Sequence, residues 1–109
     1  MSLPEISVTE LQRLRALPQP PRLIDVREPD EWEIGRIEGA ELLPLSEWPA
    51  IAEAQLKDRH EPLLVVCHHG GRSARATEFL LRNGFASVTN VAGGIDAWSC
   101  LVDPTVPRY

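Results

Sequence analysis

Residues 63–73 decide the fold and read Leu63-Leu64-Val65-Val66-Cys67-His68-His69-Gly70-Gly71-Arg72-Ser73. Four consecutive apolar residues are typical of a central parallel strand that is covered on both of its faces. The two glycines predict a turn, and an apolar pattern with helical spacing begins at Ser73. This order of strand, turn and helix places Cys67 at the carboxyl end of a strand, which is where α/β folds bind their ligands.

Cys67 is therefore the candidate nucleophile. A helix that begins just after it directs free N–H groups and the positive end of its dipole toward the thiol. Helix N-termini and neighbouring cations favour the thiolate, which is the reactive form of cysteine. A simpler interpretation is a small buried hydrophobic residue at the end of a strand. The glycines, the arginine and the serine that follow Cys67 favour the active-site interpretation, because a purely structural turn does not need them.

The rest of the chain alternates between strand and helix patterns. Strands are also predicted at 5–8, 22–26, within 39–44 and at 88–91. Helices are predicted from a capping box at Thr9 and Gln12, and then at 28–33, 47–57, 73–82 and after Gly93 and Gly94. This alternation predicts a single α/β domain over residues 1–109, with a mostly parallel sheet, helices on both faces and an extended tail at 103–109.

Composition and charge exclude several classes of protein. The chain is 43% hydrophobic and 25% charged, as is usual for a globular protein, and no apolar stretch approaches the roughly 18 residues of a membrane span. A formal net charge of −5 argues against nucleic acid as a partner, because phosphate contacts need clustered Lys and Arg. Residues 1–9 lack the pattern of a secretory signal, so the expected location is the cytoplasm.

The charges are unevenly distributed along the chain. Acidic residues crowd the segment 25–41, where a solvated face is the expected role. The segment 67–77 instead contains Arg72, Arg75 and two histidines without an acidic residue. A local positive field at this thiol segment is expected to attract a small anion.

No metal ion or other cofactor is expected. The chain has two cysteines, Cys67 and Cys100, and neither a Cys-x-x-Cys pair nor a His-x-x-x-His pair. The side chains of His68 and His69 are expected to point in different directions, because the two residues are adjacent. Both cysteines are expected to stay reduced in a reducing compartment.

Four segments of the chain form a characteristic set. They are Leu23-Ile24-Asp25-Val26-Arg27-Glu28, Gly35-x-Ile37-x-Gly39-Ala40 followed by Pro44, the loop from Cys67 to Ser73, and Gly93-Gly94-Ile95-x-Ala97-Trp98. Together they resemble the single-domain rhodanese family. The resemblance implies a three-layer α/β/α fold with a five-stranded sheet in the order 3-2-4-5-1, and a thiosulfate sulfurtransferase-like enzyme in which Cys67 carries a persulfide. Two positions depart from the family pattern: Arg36, where histidine is common, and Leu42, where asparagine is frequent.

The resemblance also implies roles for the residues around Cys67. Amide N–H groups of the loop would stabilise the thiolate, the persulfide and the departing oxyanion, and its two glycines supply the necessary backbone freedom. The loop residues are His68, His69, Gly70, Gly71, Arg72 and Ser73. The Arg72 side chain would hold the sulfonate end of the donor, and Arg75 would face solvent. Asp25 and Arg27 match a family motif, and they are interpreted as a structural ion pair beneath the loop.

Three alternatives to a free-standing sulfurtransferase stay open. Related phosphatases and arsenate reductases place five residues between the Cys and the Arg of this loop, whereas four intervene here, which favours a sulfur atom over a bound phosphate. Non-catalytic rhodanese-like modules, which serve protein contacts, usually lack the cysteine. The segment 103–107 resembles the tail of rhodanese domains fused to adenylylating enzymes of sulfur carriers. The expected partners are therefore a small-molecule sulfur donor and an acceptor that is a thiol, cyanide or a protein, without nucleic acid or membrane.

Overall fold

The structure, a computed structural model, describes residues 3–109, and the five strands found there form one parallel sheet. The strands are β1 (Glu5–Ile6), β2 (Arg22–Asp25), β3 (Glu41–Leu42), β4 (Leu63–Val66) and β5 (Val88–Val91), in the spatial order β1-β5-β4-β2-β3. Read from the other edge, this is the order 3-2-4-5-1, so the predicted α/β fold is confirmed. Met1 and Ser2, which the domain prediction includes, lie outside the described residues.

The described residues also form five α-helices and a short 3-10 helix. They are α1 (Val8–Arg15), α2 (Pro29–Ile34), α3 (Ala50–Gln55), α4 (Gly71–Arg82), α5 (Gly94–Leu101) and the 3-10 helix Leu45–Glu47. Side chains of α3 and α4 pack on one face of the sheet, and those of α1 and α5 pack on the other. None of these helices is both long enough and apolar enough to cross a membrane.

The central strand β4 divides its side chains between the two cores. Leu63 and Val65 pack in the core beneath α3 and α4, and Leu64 and Val66 pack in the core beneath α1 and α5. All four are buried, as expected for a strand that is covered on both faces. Because successive side chains of a strand point to opposite faces, Cys67 falls on the α4 side of the sheet.

The start of α1 differs from its prediction. The N-cap of α1 is Ser7, whose hydroxyl accepts the N–H of Glu10 at 3.1 Å. The capping box predicted at Thr9 is therefore wrong, because Thr9 already lies inside the helix. Serine is the stronger N-cap of the two residue types, and its position shortens β1 to two residues.

Two other helix boundaries also differ. α4 begins at Gly71 instead of Ser73, so Arg72 and Ser73 both lie in its first turn. The helix predicted at 47–57 is divided into the 3-10 helix and α3, with Pro49 as the N-cap of α3. Proline has no N–H to donate and is tolerated only where a helix starts, so the α-helix forms only after it.

A buried ion pair lies at the carboxyl end of β2. Arg27 donates to both carboxylate oxygens of Asp25, and both residues are fully enclosed. The same guanidinium donates to the carbonyl oxygens of Glu31 and Gly35 and to the hydroxyl of Tyr109. Burial disfavours the charge, but these hydrogen bonds, above all those with Asp25, raise the pKa of Arg27 above its ordinary value. The predicted ion pair is present, and it joins β2 to α2 and the tail.

Asp25→Ala is expected to destabilise the fold by about 3–5 kcal/mol, the usual cost of leaving one member of a buried ion pair uncompensated. Urea denaturation measures the free energy of unfolding. Glu33→Ala removes an exposed carboxylate from α2 and is the control, with an expected change below ~0.5 kcal/mol. Equal unfolding midpoints for the two variants would show that the Asp25 carboxylate adds no net stability.

Candidate active site

Cys67 follows β4 directly and lies beneath the loop that leads into α4. Its Sγ accepts a hydrogen bond from the backbone N–H of Gly70 at 3.1 Å, and Oγ of Ser73 lies 3.3 Å from the sulfur. The loop therefore curves around the sulfur, with one donor from the backbone and one from the first turn of α4. Cys67 is only 1% exposed. A reagent can therefore contact its sulfur only through a narrow end group.

The curve of the loop depends on one glycine. Gly70 has a φ of 115°, in the left-handed region that favours glycine, and its N–H is the one that reaches the sulfur of Cys67. Gly71 is the first residue of α4 and has no positive φ. The expectation that both glycines supply backbone freedom is therefore wrong for Gly71, because the helix has already begun there.

The N-terminus of α5 supports the loop from its other side. The N–H of Ile95 donates to the carbonyl of Cys67 at 2.8 Å, and the N–H of Asp96 donates to the carbonyl of His68 at 3.0 Å. A Cβ at Gly94 would overlap these two carbonyl oxygens. The glycine therefore allows α5 to approach the loop and to bind the carbonyl groups of Cys67 and His68.

A hydrogen-bond chain reaches the buried hydroxyl of Ser73 from the sheet. Oγ of Ser73 lies 2.5 Å from Oδ1 of Asn90, and Nδ2 of Asn90 donates to the carboxylate of Glu5 at 2.9 Å. Only the amide NH₂ group can donate to a carboxylate, so Glu5 determines the orientation of the Asn90 amide. Neither Asn90 nor Glu5 is predicted from the sequence. The available signal was an asparagine inside the apolar pattern of β5, because a buried amide needs polar partners.

The Ser73 hydroxyl has one proton and three acceptors within reach. They are Oδ1 of Asn90, the carbonyl oxygen of Gly70 at 3.2 Å and the sulfur of Cys67. When Cys67 is a thiol, its S–H can donate to the serine oxygen while the hydroxyl donates to Asn90. When Cys67 is a thiolate, the hydroxyl can turn to the sulfur. Ser73 is thus placed to respond to a charge on Cys67.

Arg72 extends from the first turn of α4 to α2, where its guanidinium binds Glu31. Two nitrogens of the guanidinium donate to the two carboxylate oxygens at 2.6 and 2.9 Å. The side chains of Arg72 and Glu31 are 31% and 15% exposed. This contact corrects two expectations. Glu31 is not part of a solvated acidic face, and the charge of Arg72 is cancelled by an acid from another part of the chain.

Glu31 accepts hydrogen bonds from three residues. In addition to Arg72, the N–H of Glu28 donates to it at 3.1 Å, and the hydroxyl of Tyr109 donates at 2.7 Å. The Arg72 hydrogen bonds, against the opposing effect of burial, lower the pKa of Glu31 to about 2, and the other two donors act in the same direction. The carboxylate is therefore ionised throughout the physiological pH range.

Three aromatic rings stack beside the loop. The ring centroids of His68 and His69 are 3.9 Å apart, and the ring of Tyr109 lies 3.9 Å from that of His68 at an angle of 11°. The expectation that the two histidines point apart is wrong, because the curve of the loop brings their rings together. Burial, and then the neighbouring His69, lower the pKa of His68, which favours a neutral imidazole.

The tail at 103–109 is packed against the domain. Val106 is buried in the core beneath α1 and α5, and its carbonyl accepts the hydroxyl of Ser99 at 2.5 Å. Arg108 pairs with Asp96 at 3.0 Å. These contacts carry Tyr109 to the site. Burial, partly opposed by the hydrogen bond from Arg27, raises the pKa of Tyr109 to about 12, so its hydroxyl keeps its proton.

The other residues singled out in the sequence make separate contacts. Arg75 is exposed, as expected, and Cys100 is exposed, with both cysteines free. The guanidinium of Arg36 lies 4.9 Å from the ring centroid of Trp32, and Leu42 belongs to β3. Within residues 3–109, no three His, Cys, Asp or Glu side chains gather as the ligands of a metal ion do.

The family model of the rhodanese-like domain matches residues 7–100. The chain belongs to the rhodanese-like family. This rhodanese-like chain is 41% identical over 91 residues to the rhodanese-like/PpiC domain-containing protein 12, chloroplastic, of Arabidopsis thaliana, an alignment that covers 81% of the chain and 30% of that protein. It is 37% identical over 116 residues to the adenylyltransferase and sulfurtransferase MOCS3-2 of Zea mays, with 98% of the chain and 24% of that protein covered. The chain thus spans less than a third of the length of these relatives.

Solved structures show the same relationship. The protein SSP1007 of Staphylococcus saprophyticus superposes on the rhodanese-like chain with a TM-score of 0.80 and 31% identity, over 97% of the chain and 100% of SSP1007. The human single-domain sulfurtransferase TSTD1 superposes with a TM-score of 0.77 and 28% identity, over 92% and 98% of the two chains. The rhodanese-like domain is therefore related to sulfurtransferases in both sequence and fold.

Glu31→Gln is expected to make the stability of the rhodanese-like domain less sensitive to acid. The folded-state pKa of Glu31 is about 2 and its ordinary value is 4.5, so the carboxylate stabilises the fold above pH 4.5 and loses this contribution as the pH falls toward 2. The difference in unfolding free energy between the parent and Glu31→Gln is expected to shrink over this window. Urea denaturation at a series of pH values measures it, and a difference that does not change with pH would contradict the assignment.

Ser73→Ala is expected to slow the alkylation of Cys67 by iodoacetamide about tenfold, because the thiolate loses a hydrogen bond of the strength typical for charged groups. Thr77→Val is the matched control. It removes another buried hydroxyl of α4, one that donates to the carbonyl of Ser73 and not to the sulfur. The rates are measured on folded protein, and equal rates for the two variants would exclude a role of the Ser73 hydroxyl at Cys67.

Proposed function

We propose that this chain is a sulfurtransferase that moves a terminal sulfur from a sulfane donor to an acceptor through a persulfide on Cys67. The observation that carries the proposal is the position of the Cys67 sulfur at the end of β4, within reach of the Gly70 N–H and the Ser73 hydroxyl. Two relatives that are named sulfurtransferases, MOCS3-2 of Zea mays and human TSTD1, support this class of reaction.

The proposed transfer has two steps. First, the Cys67 thiolate attacks the outer sulfur of thiosulfate, a new S–S bond forms, and sulfite leaves with the electron pair of the broken S–S bond. Second, a thiolate or cyanide attacks the terminal sulfur of the persulfide, and the Cys67 thiolate leaves. A thiol acceptor becomes a persulfide, and cyanide becomes thiocyanate. Both steps are displacements at sulfur, so atoms and electrons balance without a further reagent.

The loop and α4 supply the stabilisation that this chemistry needs. The Gly70 N–H and the Ser73 hydroxyl face the Cys67 sulfur, and the first N–H groups of α4 have no carbonyl partner within the helix. Together with the positive end of the helix dipole, they favour negative charge on the thiolate and on the terminal sulfur of the persulfide. In this proposal the guanidinium of Arg72 is the group nearest to the oxygens of a sulfonate donor.

A phosphatase-like or arsenate reductase-like reaction is the weaker candidate. Four residues separate Cys67 from Arg72, and the enclosed sulfur already contacts the loop at Gly70. This arrangement favours one additional sulfur atom over a tetrahedral oxyanion above the thiol. The presence of the cysteine in a loop with hydrogen-bond donors also favours an enzyme over a non-catalytic interaction module.

A protein is the second candidate for the acceptor. The chain aligns along 98% of its length with MOCS3-2, whose name joins adenylyltransferase and sulfurtransferase. If the chain works together with an adenylyltransferase, the persulfide on Cys67 would pass its terminal sulfur to a partner protein. The cytoplasm, or another reducing compartment, suits either acceptor. Each catalytic cycle regenerates the free Cys67 thiolate, which a reducing environment preserves.

Thiosulfate treatment of the parent protein is expected to add the mass of one sulfur atom to Cys67, and cyanide is expected to remove it as thiocyanate. Cys67→Ser is expected to abolish the gain, because the loop contains no other thiol. Cys100→Ser removes the exposed cysteine and is the matched control, which is expected to keep the gain. Intact mass spectrometry with peptide mapping makes the measurement.

Two results would contradict the proposal at different levels. Sulfur that still loads onto Cys67→Ser, or that maps to Cys100 in the parent, would show that Cys67 is not the nucleophile. A parent protein that gains no sulfur from thiosulfate or from an alkyl persulfide would contradict the sulfurtransferase function itself.

A further inference from the structure

We propose that Glu31 selects the sulfur donor: it disfavours sulfonate donors such as thiosulfate and makes an alkyl persulfide the preferred donor to Cys67. This inference rests on the proposed sulfurtransferase function and specifies the donor class. Glu31 acts through Arg72 and is a specificity-determining residue, without contact to the sulfur itself.

The first observation is the way in which Arg72 is held. A guanidinium recognises a sulfonate through two parallel N–H···O bonds. The two terminal nitrogens of Arg72 already make such a pair of bonds to the Glu31 carboxylate, at 2.6 and 2.9 Å. A sulfonate on this edge would have to displace Glu31. A sulfonate on the other edge would lie beside a carboxylate that cancels the charge of Arg72 and repels the donor.

The second observation is that Glu31 is fixed in this position. It lies at the third position of α2, where the backbone N–H of Glu28 donates to one carboxylate oxygen at 3.1 Å. The Tyr109 hydroxyl donates to the other oxygen at 2.7 Å, and Tyr109 is in turn held by Arg27 at 3.0 Å. If a donor displaced the Glu31 carboxylate from Arg72, this partly buried carboxylate would lose its strongest hydrogen-bond partner.

The third observation is that two further arginines near the loop are also compensated, whereas Arg75 of α4 is exposed to solvent. Arg27 pairs with Asp25 at 2.8 Å, and Arg108 pairs with Asp96 at 3.0 Å. Burial lowers the pKa of His68, which favours a neutral ring. Stabilisation of an anion at Cys67 then comes from the Gly70 N–H, the Ser73 hydroxyl and the N-terminus of α4. This suits a single anionic sulfur better than a dianion with charge on three outer oxygens.

The two donor classes differ in the group that must lie beside Arg72 and Glu31. Thiosulfate brings a sulfonate and two negative charges, whereas an alkyl persulfide brings the same terminal sulfur on an uncharged carbon chain. With the persulfide, the Cys67 thiolate attacks the terminal sulfur and the donor S–S bond breaks. The alkyl thiolate leaves with the electron pair and takes up the proton of the terminal S–H, so that charge and atoms balance.

The experiment compares the rate constants for loading of Cys67 from thiosulfate and from the persulfide of N-acetylcysteamine, followed by intact mass. Glu31→Gln is expected to raise the rate constant for thiosulfate about tenfold and to leave that for the persulfide within about threefold, since one like charge near the sulfonate is removed. Glu33→Gln removes an exposed carboxylate from the same helix and is expected to change neither. Arg72→Met, added to Glu31→Gln, is expected to abolish the rise in the rate constant for thiosulfate. This rise depends on the Arg72 guanidinium, which the Glu31 carboxylate no longer neutralises.

A parallel fall of both rate constants in Glu31→Gln would overturn the inference, because Glu31 would then only hold Arg72 in place. An unchanged ratio of the two rate constants would overturn it as well. In both cases the parent still loads sulfur, and the proposed sulfurtransferase function stands. If neither donor loads Cys67 of the parent, the proposed function fails and the donor selection fails with it.

Discussion

The guanidinium of Arg27 lies fully inside the protein, and the groups that satisfy it organise the site. A buried charge is tolerated only when a counter-ion and hydrogen bonds replace the water that it has lost. Arg27 finds these in the Asp25 carboxylate, in two carbonyl oxygens at α2 and its C-cap, and in the hydroxyl of Tyr109. The same hydroxyl donates to Glu31, which binds Arg72. One buried cation thus connects β2, α2, the tail and the first turn of α4.

Around Cys67, the backbone and the side chains have different electrostatic roles. The side chains form closed pairs, such as Arg72 with Glu31, whose charges cancel. The backbone presents the Gly70 N–H to the sulfur, and the carbonyl groups of Cys67 and His68 are bound by the N-terminus of α5. A backbone arrangement of this kind stabilises a small sulfur anion without attracting larger anions over a long range. The hydrogen-bond chain through Ser73, Asn90 and Glu5 adds one hydroxyl that can turn toward a charge on the sulfur.

The amino-acid sequence by itself determined the elements of the fold and the position of the thiol. An apolar run of four residues, a glycine turn and a helical pattern act over short distances, so they place Cys67 between β4 and α4 without any tertiary information. The strand order followed from the resemblance carried by the four motifs. Local competition between caps was harder to resolve, since Ser7 and Thr9 are both good N-cap residues and only the observed hydrogen bond to Glu10 separates them.

The tertiary structure alone decided which charges meet at the site. Glu31 precedes Arg72 by 41 positions and Tyr109 by 78, and no local pattern brings such residues together. The segment 67–77 contains no acid in the sequence, yet in space its Arg72 is paired, because this side chain extends from the first turn of α4 to Glu31 of α2. The stack of His68 on Tyr109 arises in the same way from the course of the tail. The physical reason is that the electrostatics of a site depend on distances in space, and these distances are set by packing between elements that are far apart in the chain.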